Sequence, residues 1–212
     1  MKLIDSGLSG YEDMLDRQLE IFERIKEGSG DDTLIVTRHR PVITLGKSAR
    51  IDDLLFPLDI IEEKGVSVRK VGRGGGTTYH GPGQLVLYPI CDLRNFDKDL
   101  RTFIRNLEKV MKKTANCFDL RTKILDEYPG LWMEDNTKKL GSLGLSVKKW
   151  ITYHGLAFNV DLNKEKSSLL KPCGMKNVSL VSLKDYRDVS IETVKANILK
   201  VFCEVLNVEL EE

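Results

Sequence analysis

Cys173 is the side chain of this sequence whose neighbours best suit it to covalent chemistry. It stands between a proline and a glycine in the string KPCG, residues 171–174, and such neighbours are typical of a turn. Cys117 and Cys203 instead fall on predicted apolar helix faces, where cysteines are as a rule buried and inert. A thiol with the ordinary pKa of about 8.5 is only a few per cent thiolate at neutral pH. Cys173 is therefore a candidate nucleophile that needs an activating neighbour, and an inert buried cysteine is the alternative.

Lys139 is the candidate activator, because it enters the glycine-punctuated, strand-like segment KLGSLGL, residues 139–145. A nearby ammonium stabilises a thiolate, and lowering a thiol pKa by about 1.5 units requires about 2 kcal/mol of preferential stabilisation. The alternative is that Lys139 is a surface lysine like its neighbour Lys138, as most lysines are. Sequence spacing alone does not bring it to Cys173.

Two histidines offer a second route to activation. His80 and His154 occur in the similar strings TYHGPG and TYHGLA, and a Cys-His pair is an established way to activate a thiol. Two histidines could also hold a metal, but no third ligand stands at a suitable spacing. Hydrogen bonding in the wall of a pocket is the favoured interpretation, with His39 structural or at the edge of the site.

The stretch RGGGTTYHGPGQLVLYP, residues 73–89, indicates where a ligand would bind. Glycine costs backbone entropy and weakens strands, so five glycines within ten residues need a reason. A backbone that approaches a ligand closely, or that turns through positive φ, supplies one. A tight hairpin without a ligand is the alternative, but Arg73, Tyr79, His80 and Gln84 around the glycines favour a binding site.

The composition limits the classes of protein. The sequence has 212 residues, 41% of them hydrophobic and 31% charged, which fits one soluble globular domain spanning 1–212. A net charge of +1 argues against nucleic acid as a partner. No apolar run has membrane-spanning length, so we expect no membrane association and a cytoplasmic protein. No CxxC pair suggests a zinc or redox motif.

Hydrophobic periodicity predicts the elements that must position these side chains. Helices are expected at 10–27, 100–111 and 191–205, the last capped by Ser190, and strands at 33–37, 42–45, 66–71, 84–90, 131–133, 140–147 and 151–160. The strands do not alternate regularly with helices. The predicted fold class is therefore α+β, a single domain with a mixed sheet flanked by helices.

A cluster of lysines surrounds the candidate nucleophile. Between Lys138 and Lys176 there are eight lysines against Asp161 and Glu165, a local surplus of six positive charges. A solvated surface is the usual meaning of such a run. Here it could also attract an acidic protein partner by electrostatic steering.

Taken together and in order, RGGGTTYHGPGQLVLYP, KLGSLGL, TYHGLAFNV and KPCG closely resemble the lipoyl(octanoyl) transferases. The similarity runs from about Thr33, through the segment HRPVITLGKSA, to about Leu183. It implies the α+β fold that this family shares with the catalytic domains of lipoate and biotin protein ligases, built around a mixed sheet.

The resemblance also implies roles for individual residues. Cys173 matches the acyl-thioester nucleophile, and Lys139 matches the lysine that lowers the pKa of the thiol and can shuttle a proton. The matching substrate-binding residues are Arg73, Gly74, Gly75, Gly76, Thr77, Thr78, Tyr79, His80, Ser142, Leu143, Gly144, Gly155, Leu156 and Ala157. Gly76 departs from the family, whose members commonly carry a larger residue there, and this position bears on acyl-chain preference.

The implied reaction moves an octanoyl group from octanoyl-acyl carrier protein to Cys173, and then to a lysine of a lipoyl domain. The expected acceptors are lipoyl domains of 2-oxoacid dehydrogenase complexes and the H protein of the glycine cleavage system. No nucleotide, other cofactor or metal is required, because thioester to amide is downhill. Tyr79, Leu85 or Leu143 is expected to wall a slot for the acyl tail, and backbone N–H groups of the glycine-rich segments are candidate oxyanion donors.

Three other functions stay open from the residues. An ATP-dependent lipoate-protein ligase would use the same fold without a cysteine nucleophile, and Cys173 in its PCG context argues against it. An octanoyl amidotransferase would differ only in the donor. A non-catalytic binder of carrier proteins or lipoyl domains would have little need of both Cys173 and Lys139.

Overall fold

The computed structural model describes residues 1–175 and 177–211, apart from the side chain of Cys173. Five α-helices lie in this part of the chain: α1 (Tyr11–Lys26), α2 (Leu58–Glu63), α3 (Leu100–Asn116), α4 (Lys164–Ser167) and α5 (Ile191–Leu206). The strands of the same residues are β1 (Lys2–Ser9), β2 (Thr33–His39), β3 (Val42–Leu45), β4 (Ser67–Lys70), β5 (Thr77–His80), β6 (Gln84–Ile90), β7 (Thr122–Lys123), β8 (Gly130–Met133), β9 (Lys138–Lys148), β10 (Ile151–Asn159) and β11 (Ser179–Leu180).

The strands form two mixed sheets. The larger has the order β1-β2-β6-β10-β9-β8-β7, with β11 added to β9, and the smaller has the order β4-β3-β5. Parallel pairs (β1 with β2, β11 with β9, β3 with β4) occur beside antiparallel ones. The predicted α+β fold with a mixed sheet flanked by helices is thereby confirmed.

Helices cover both faces of the larger sheet because each has one apolar face. On one face α3 and α5 contribute Phe103, Leu107 and Phe202 to a core shared with strand residues such as Leu87. On the other face α1 packs Met14, Phe22 and Ile25 against alternate strand residues. Ser190 caps α5 as predicted, accepting a hydrogen bond from the N–H of Thr193 at 3.1 Å.

The predicted helices and strands are confirmed to within a few residues at their ends, but the sequence analysis missed several elements. The first is β1, whose string KLIDSGLS lacks strict alternation and whose register on β2 shifts between Asp5 and Leu8. The second is β5, which was taken as part of a glycine-rich loop although all four of its residues are buried. The short helices α2 and α4 and the short strands β7 and β11 were also not predicted.

The expectation for Cys117 was wrong. It was placed on an apolar helix face, but α3 ends at Asn116 and Cys117 is the exposed residue that caps it. No helix in the described part of the chain is long and apolar enough to cross a membrane.

Candidate active site

A cavity of about 440 Å³ opens between the two sheets. Strands β9 and β10 form one wall, and β5 with the preceding glycine loop (residues 73–76) forms the other. Lys139 lines the cavity. So do the following predicted substrate-binding residues: Arg73, Gly74, Gly75, Gly76, Thr77, Thr78, His80, Ser142, Leu143, Gly144, Gly155, Leu156 and Ala157. Residues far apart in the sequence are thus brought to one site.

Tyr79 lies elsewhere. Its side chain is fully buried in the core beneath the smaller sheet, with Ile43 and Ile61. The reason is the alternation of β5, which points Thr78 and His80 to one side and Tyr79 to the other. Leu85 likewise packs in the core under α3 and α5. Of the three side chains expected to wall an acyl slot, Leu143 is the one that the described cavity wall contains.

Two tripeptides among the predicted substrate-binding residues, 142–144 in β9 and 155–157 in β10, pair directly with each other. Gly155 pairs with Gly144, Leu156 with Leu143 and Ala157 with Ser142 in antiparallel register. Gly155 lies so close to the backbone of Leu87 that a β-carbon would collide with it. A β-carbon on Gly144 would lie 2.8 Å from the carbonyl oxygen of Gly74. Glycine at 155 therefore lets β10 lie close to β6, and glycine at 144 lets the glycine loop approach the sheet.

Arg73 fixes the glycine loop from within. Its guanidinium donates to Thr44 Oγ1 from Nε (3.2 Å) and from Nη2 (2.8 Å), and Nη2 also donates to the Thr44 carbonyl (2.8 Å). The side chain is buried, and it also donates to the carbonyl of Gly74 at 3.0 Å. Such a set of bonds indicates that Arg73 shapes the cavity wall.

Backbone bonds complete the glycine loop. The N–H of Gly74 donates to the carbonyl of Leu145 at 3.0 Å, and that of Ser48 donates to the carbonyl of Gly75 at 3.1 Å. Gly75 has a φ of +82°, a conformation that favours glycine. Because its N–H is already bonded, Gly74 is not available as an oxyanion donor in this conformation.

Lys139 reaches the cavity from the start of β9. It is only 2% exposed, and its Nζ donates to the carbonyl oxygen of Pro129 at 3.1 Å. The same ammonium lies 4.9 Å from the centroid of the Trp132 ring, a cation–π distance. The alternative of a surface lysine is wrong for Lys139 but correct for Lys138, which forms an exposed ion pair with Asp135.

Glu108 supports the acceptor of Lys139. This buried carboxyl group on α3 accepts from the N–H of Gly130 at 3.1 Å and from Arg105 Nη1 at 3.0 Å. Burial raises the pKa of Glu108 above its ordinary value. Since Gly130 follows Pro129, the carboxyl group positions the carbonyl that receives the lysine.

The turn that carries Cys173 is held beside the cavity, although the side chain of Cys173 lies outside the described structure. Residues Pro172–Gly174 form a 3₁₀ turn that lies against β5. The N–H of Lys171 donates to the carbonyl of Asp53 at 2.7 Å. Farther along, Leu180 of β11 pairs with Lys139 in β9. The chain therefore approaches Lys139 again after the cysteine.

Asp53 joins this turn to the cavity wall. Its buried carboxylate accepts from Thr77 Oγ1 at 2.8 Å and from the N–H of Arg50 at 2.9 Å. Gly174, with a φ of +72°, lies so near that a β-carbon would be 3.0 Å from Asp53 Oδ1. Asp53 is therefore a positioning group for both β5 and the cysteine turn.

Two of the chain's three histidines line the cavity and the third adjoins them. We call the part of the cavity beside these three residues the histidine end. His80 and His154 line it, and the His39 ring lies 5.8 Å from that of His80. Burial lowers the pKa of His39 to about 4 and that of His154 to about 4. Burial and then the neighbouring His39 lower the pKa of His80 to about 3. All three rings are neutral at neutral pH.

Their hydrogen bonds differ. His39 Nε2 lies 2.7 Å from the Tyr88 hydroxyl, and His80 Nδ1 lies 2.7 Å from Gln84 Oε1. His154 has a φ of +59°, and its backbone N–H donates to Gln18 Oε1 at 2.8 Å. Neither ring nitrogen of His154 has a hydrogen-bond partner among the described residues. The prediction that His80 and His154 act by hydrogen bonding fits the ring of His80 but not that of His154.

A chain of polar contacts links the two ends. From His80 it passes through Gln84, whose Nε2 donates to Asn159 Oδ1 at 2.8 Å. Asn159 Nδ2 donates in turn to the carbonyl of Lys139 at 3.3 Å and to that of Val181 at 2.9 Å. These bonds therefore fix the position of the start of β9 relative to His80.

Similarity to known proteins identifies the family of this chain. The family model of the lipoyl protein ligase A/B catalytic domain matches residues 10–203. The chain belongs to this family. An octanoyltransferase of Clostridium kluyveri is 35% identical over 201 residues, 92% of this chain and 85% of the relative. One from Caldanaerobacter subterraneus subsp. tengcongensis is 36% identical over 213 residues, 100% of this chain and 92% of the relative. These relatives show that the chain is an acyltransferase enzyme.

Solved structures agree on the fold of this family. Lipoate-protein ligase A bound with ATP has a TM-score of 0.73 at 19% identity, covering 100% of this chain and 87% of its own. The biotin protein ligase from Aquifex aeolicus has a TM-score of 0.53 at 13% identity, covering 98% and 69%. At these identities the likeness establishes architecture alone.

The sequence analysis missed several residues that shape the family's cavity in this chain. Asp53, Glu108 and Asn159 each connect two elements through buried polar contacts. Glu108 carried a usable signal, because a charged residue interrupts the apolar face of a predicted helix. Asp53 and Asn159 carried none, since their partners are distant in sequence. Among the described residues, no group of three or more histidine, cysteine or acidic side chains could hold a metal ion.

Proposed function

We propose that this enzyme transfers an octanoyl group from octanoyl-acyl carrier protein to a lysine of a lipoyl domain, through a thioester on Cys173. The observation that supports this most is Lys139, a buried ammonium in the wall of a largely apolar cavity beside the cysteine turn. The octanoyltransferase relatives, matched over 85% and 92% of their lengths, favour the same acyl group. The whole chain, 1–212, acts as one catalytic domain in this proposal.

The first step forms the acyl-enzyme. The thiolate of Cys173 attacks the carbonyl carbon of the octanoyl thioester, the C–S bond to the carrier breaks, and the departing thiolate takes a proton from the Lys139 ammonium. The Lys139 ammonium stabilises the Cys173 thiolate, an interaction strengthened by the low polarity of the cavity. Leu143, Leu156 and Ala157 offer the octanoyl tail an apolar wall.

The second step forms the amide. The amine of the acceptor lysine attacks the thioester on Cys173, the C–S bond breaks, and the thiolate is released. The attacking amine must lose a proton. The buried histidines are weak bases, with pKa values of about 3 to 4. Lys139, left as a neutral amine when it protonates the carrier's thiolate in the first step, therefore takes that proton and becomes an ammonium again.

Intact mass spectrometry after mixing the protein with octanoyl-acyl carrier protein, without ATP, tests the proposal. The protein, Cys173→Ala and the matched control Cys117→Ser would be compared. We expect one hydroxylamine-labile octanoyl adduct on the protein and on the control, and none on Cys173→Ala. Adding an apo lipoyl domain, from a 2-oxoacid dehydrogenase complex or the glycine cleavage H protein, should discharge the adduct and acylate the domain.

Other outcomes would point to other functions. Transfer of free octanoate that requires ATP and survives Cys173→Ala would overturn the proposal in favour of a ligase. An adduct from an octanoylated lipoyl-type protein but not from the carrier would favour an amidotransferase. Absence of any adduct from folded protein and a competent donor would exclude the cysteine mechanism with that donor.

A further inference from the structure

Four large apolar side chains are exposed within one short segment of the chain. Ile51 is 59% exposed, Leu55 48%, Phe56 43% and Leu58 48%; we call these four residues the apolar patch. The other large apolar side chains that are exposed in the described structure, Leu8, Leu19, Tyr128 and Trp150, are scattered along the chain. Clustered exposed apolar side chains mark a surface that binds another molecule.

The apolar patch is built onto the turn that carries Cys173. The N–H of Leu55 donates to the carbonyl of Leu169 at 2.9 Å, and Leu54 forms a β-bridge with Leu170. The N–H of Lys171 donates to the carbonyl of Asp53, whose carboxylate also holds Thr77 of the cavity wall. A protein docked on the patch would therefore lie next to the part of the cavity that contains Lys139 and the cysteine turn, which we call the reactive end.

Positive charge lies on the side of the apolar patch that leads to the cavity. Lys47 and Arg50 stand on either side of Ser48, a residue of the cavity wall. Lys171, which precedes the cysteine turn, donates from Nζ to the carbonyl of Asp52 at 3.2 Å. We call these three cations the basic rim. The exposed acidic residues Asp59, Glu62 and Glu63 belong instead to α2, which begins at the last residue of the patch.

We propose that the apolar patch, with this basic rim, is the docking surface for the acyl carrier protein; the inference rests on the proposed function. A carrier protein is acidic, and it presents its acyl group on a long, negatively charged phosphopantetheine arm. Such a partner suits an apolar surface with a cationic rim set beside the cavity. An acceptor lysine has no such arm, so its lipoyl domain must dock over the cavity mouth itself.

The two half-reactions allow the docking surface to be tested separately from the chemistry. The test variant is Leu55→Ser/Phe56→Ser, and the matched control is Leu8→Ser/Leu19→Ser, which removes two exposed apolar side chains elsewhere. Three rates are measured by mass spectrometry: acylation by octanoyl-acyl carrier protein, acylation by octanoyl-N-acetylcysteamine, and discharge of the acyl-enzyme to an apo lipoyl domain.

We expect the test variant to lose about tenfold in kcat/KM for acylation by the carrier protein, as when apolar contacts are removed from an interface. The small thioester and the discharge step should be unaffected, and the control should resemble the parent protein. Acylation by the carrier, but not by the small thioester, should slow as salt is added, since surface charge attraction is screened.

Each contrary result has one meaning. Unchanged acylation by the carrier overturns the docking surface. A loss confined to discharge assigns the patch to the lipoyl domain instead. Equal losses with the carrier and with the small thioester mean that the patch only supports the cysteine turn. If the parent protein forms no adduct with either donor, the proposed function itself fails, which is a different result from all of these.

Discussion

The two ends of the cavity both bury titratable nitrogens, but they treat charge in opposite ways. At the reactive end, Lys139 has a carbonyl acceptor and the face of the Trp132 ring, two partners that suit a cation. At the histidine end, burial lowers the pKa of His39, His80 and His154 to between about 3 and about 4. The three imidazole rings of that end are therefore neutral at neutral pH.

This difference suits the proposed reaction. A thiolate and the leaving groups of acyl transfer develop negative charge, which a buried ammonium stabilises. An octanoyl tail carries no charge, and a charged imidazolium beside it would lose hydration without compensation. The cavity is therefore polarised along its length, with charge where bonds change and neutral rings at the opposite end.

The largest effect is expected from removing the charge at the reactive end. Lys139→Met keeps an unbranched side chain in the buried site but removes the ammonium. We expect acyl-enzyme formation near pH 7 to fall by about 100-fold or more, in the range typical of losing acid–base or electrostatic assistance. The rate of iodoacetamide alkylation of Cys173, measured against pH in a Cys117→Ser background, should shift to higher pH.

Lys138→Met is the matched control for that prediction, because Lys138 is the neighbouring residue of the same strand and pairs with Asp135 at the surface. It should leave both the transfer rate and the alkylation profile unchanged. If the two variants behave alike, Lys139 does not act on the thiol.

The residues of the reactive end could be predicted from the sequence because they occur in distinctive strings. Its geometry could not, since the closeness of the cysteine turn to Lys139 depends on the parallel pairing of β11 with β9 and on the buried carboxylate of Asp53. Neither has a local signal. Two residues of β11 are too few for a periodic pattern, and Asp53 resembles any turn aspartate.

The histidine end was predicted less well. His80 and His154 were recognised as polar residues of a pocket wall, but burial, the main cause of their lowered pKa values, depends on packing that the sequence does not show, such as Tyr11 of α1 stacked on the His80 ring. The strand β5 was hidden by the glycines before it. Periodicity fails there because all four of its residues are buried, whichever side they face.

The middle of the cavity is expected to respond next most strongly. Gly144→Ala would place a β-carbon 2.8 Å from the carbonyl oxygen of Gly74 and 3.3 Å from Arg73 Cδ. The glycine loop must then move, at a cost of about 1–3 kcal/mol, or roughly 10- to 100-fold if it is felt in kcat/KM. Steady-state transfer kinetics measure this loss.

Gly72→Ala serves as the control for the middle of the cavity, since the nearest atom to its β-carbon would be the Tyr153 hydroxyl at an ordinary 3.7 Å. Its kinetics should match those of the parent. Full activity in Gly144→Ala would show that the close approach of loop and sheet is not needed for transfer.

Because the three histidines are neutral in the folded protein, we expect its free energy of unfolding to depend on pH. Their folded pKa values lie below the unfolded value of about 6.5, so the unfolded chain binds more protons between about pH 4 and 6.5. The contribution of these histidines to the free energy of unfolding should therefore be fully present above about pH 6.5, and should be lost progressively as the pH is lowered toward 4. Each histidine contributes a slope of at most about 1.4 kcal/mol per pH unit.

Denaturant unfolding of the parent protein and of His154→Asn across this pH range measures that contribution. Asparagine does not titrate and tolerates the left-handed conformation that His154 adopts at a φ of +59°. The difference in slope between the two proteins reports the titration of His154 together with its effect on the pKa of His80. Identical slopes would mean that His154 titrates normally in the folded protein.

The smallest expected effect compares one hydroxyl at each end of the cavity. Tyr88→Phe removes the partner of His39 Nε2, and His39 Nδ1 already lacks a partner among the described residues. An unsatisfied buried polar group costs about 1–3 kcal/mol, so the free energy of unfolding should fall by that amount.

Tyr128→Phe removes a hydroxyl near the reactive end, where the side chain is 39% exposed and water can replace any bond it makes. It should change the free energy of unfolding by less than about 0.5 kcal/mol. Equal losses in the two variants would show that the histidine end is not the more tightly buried of the two, and the contrast between the ends would then rest on charge alone.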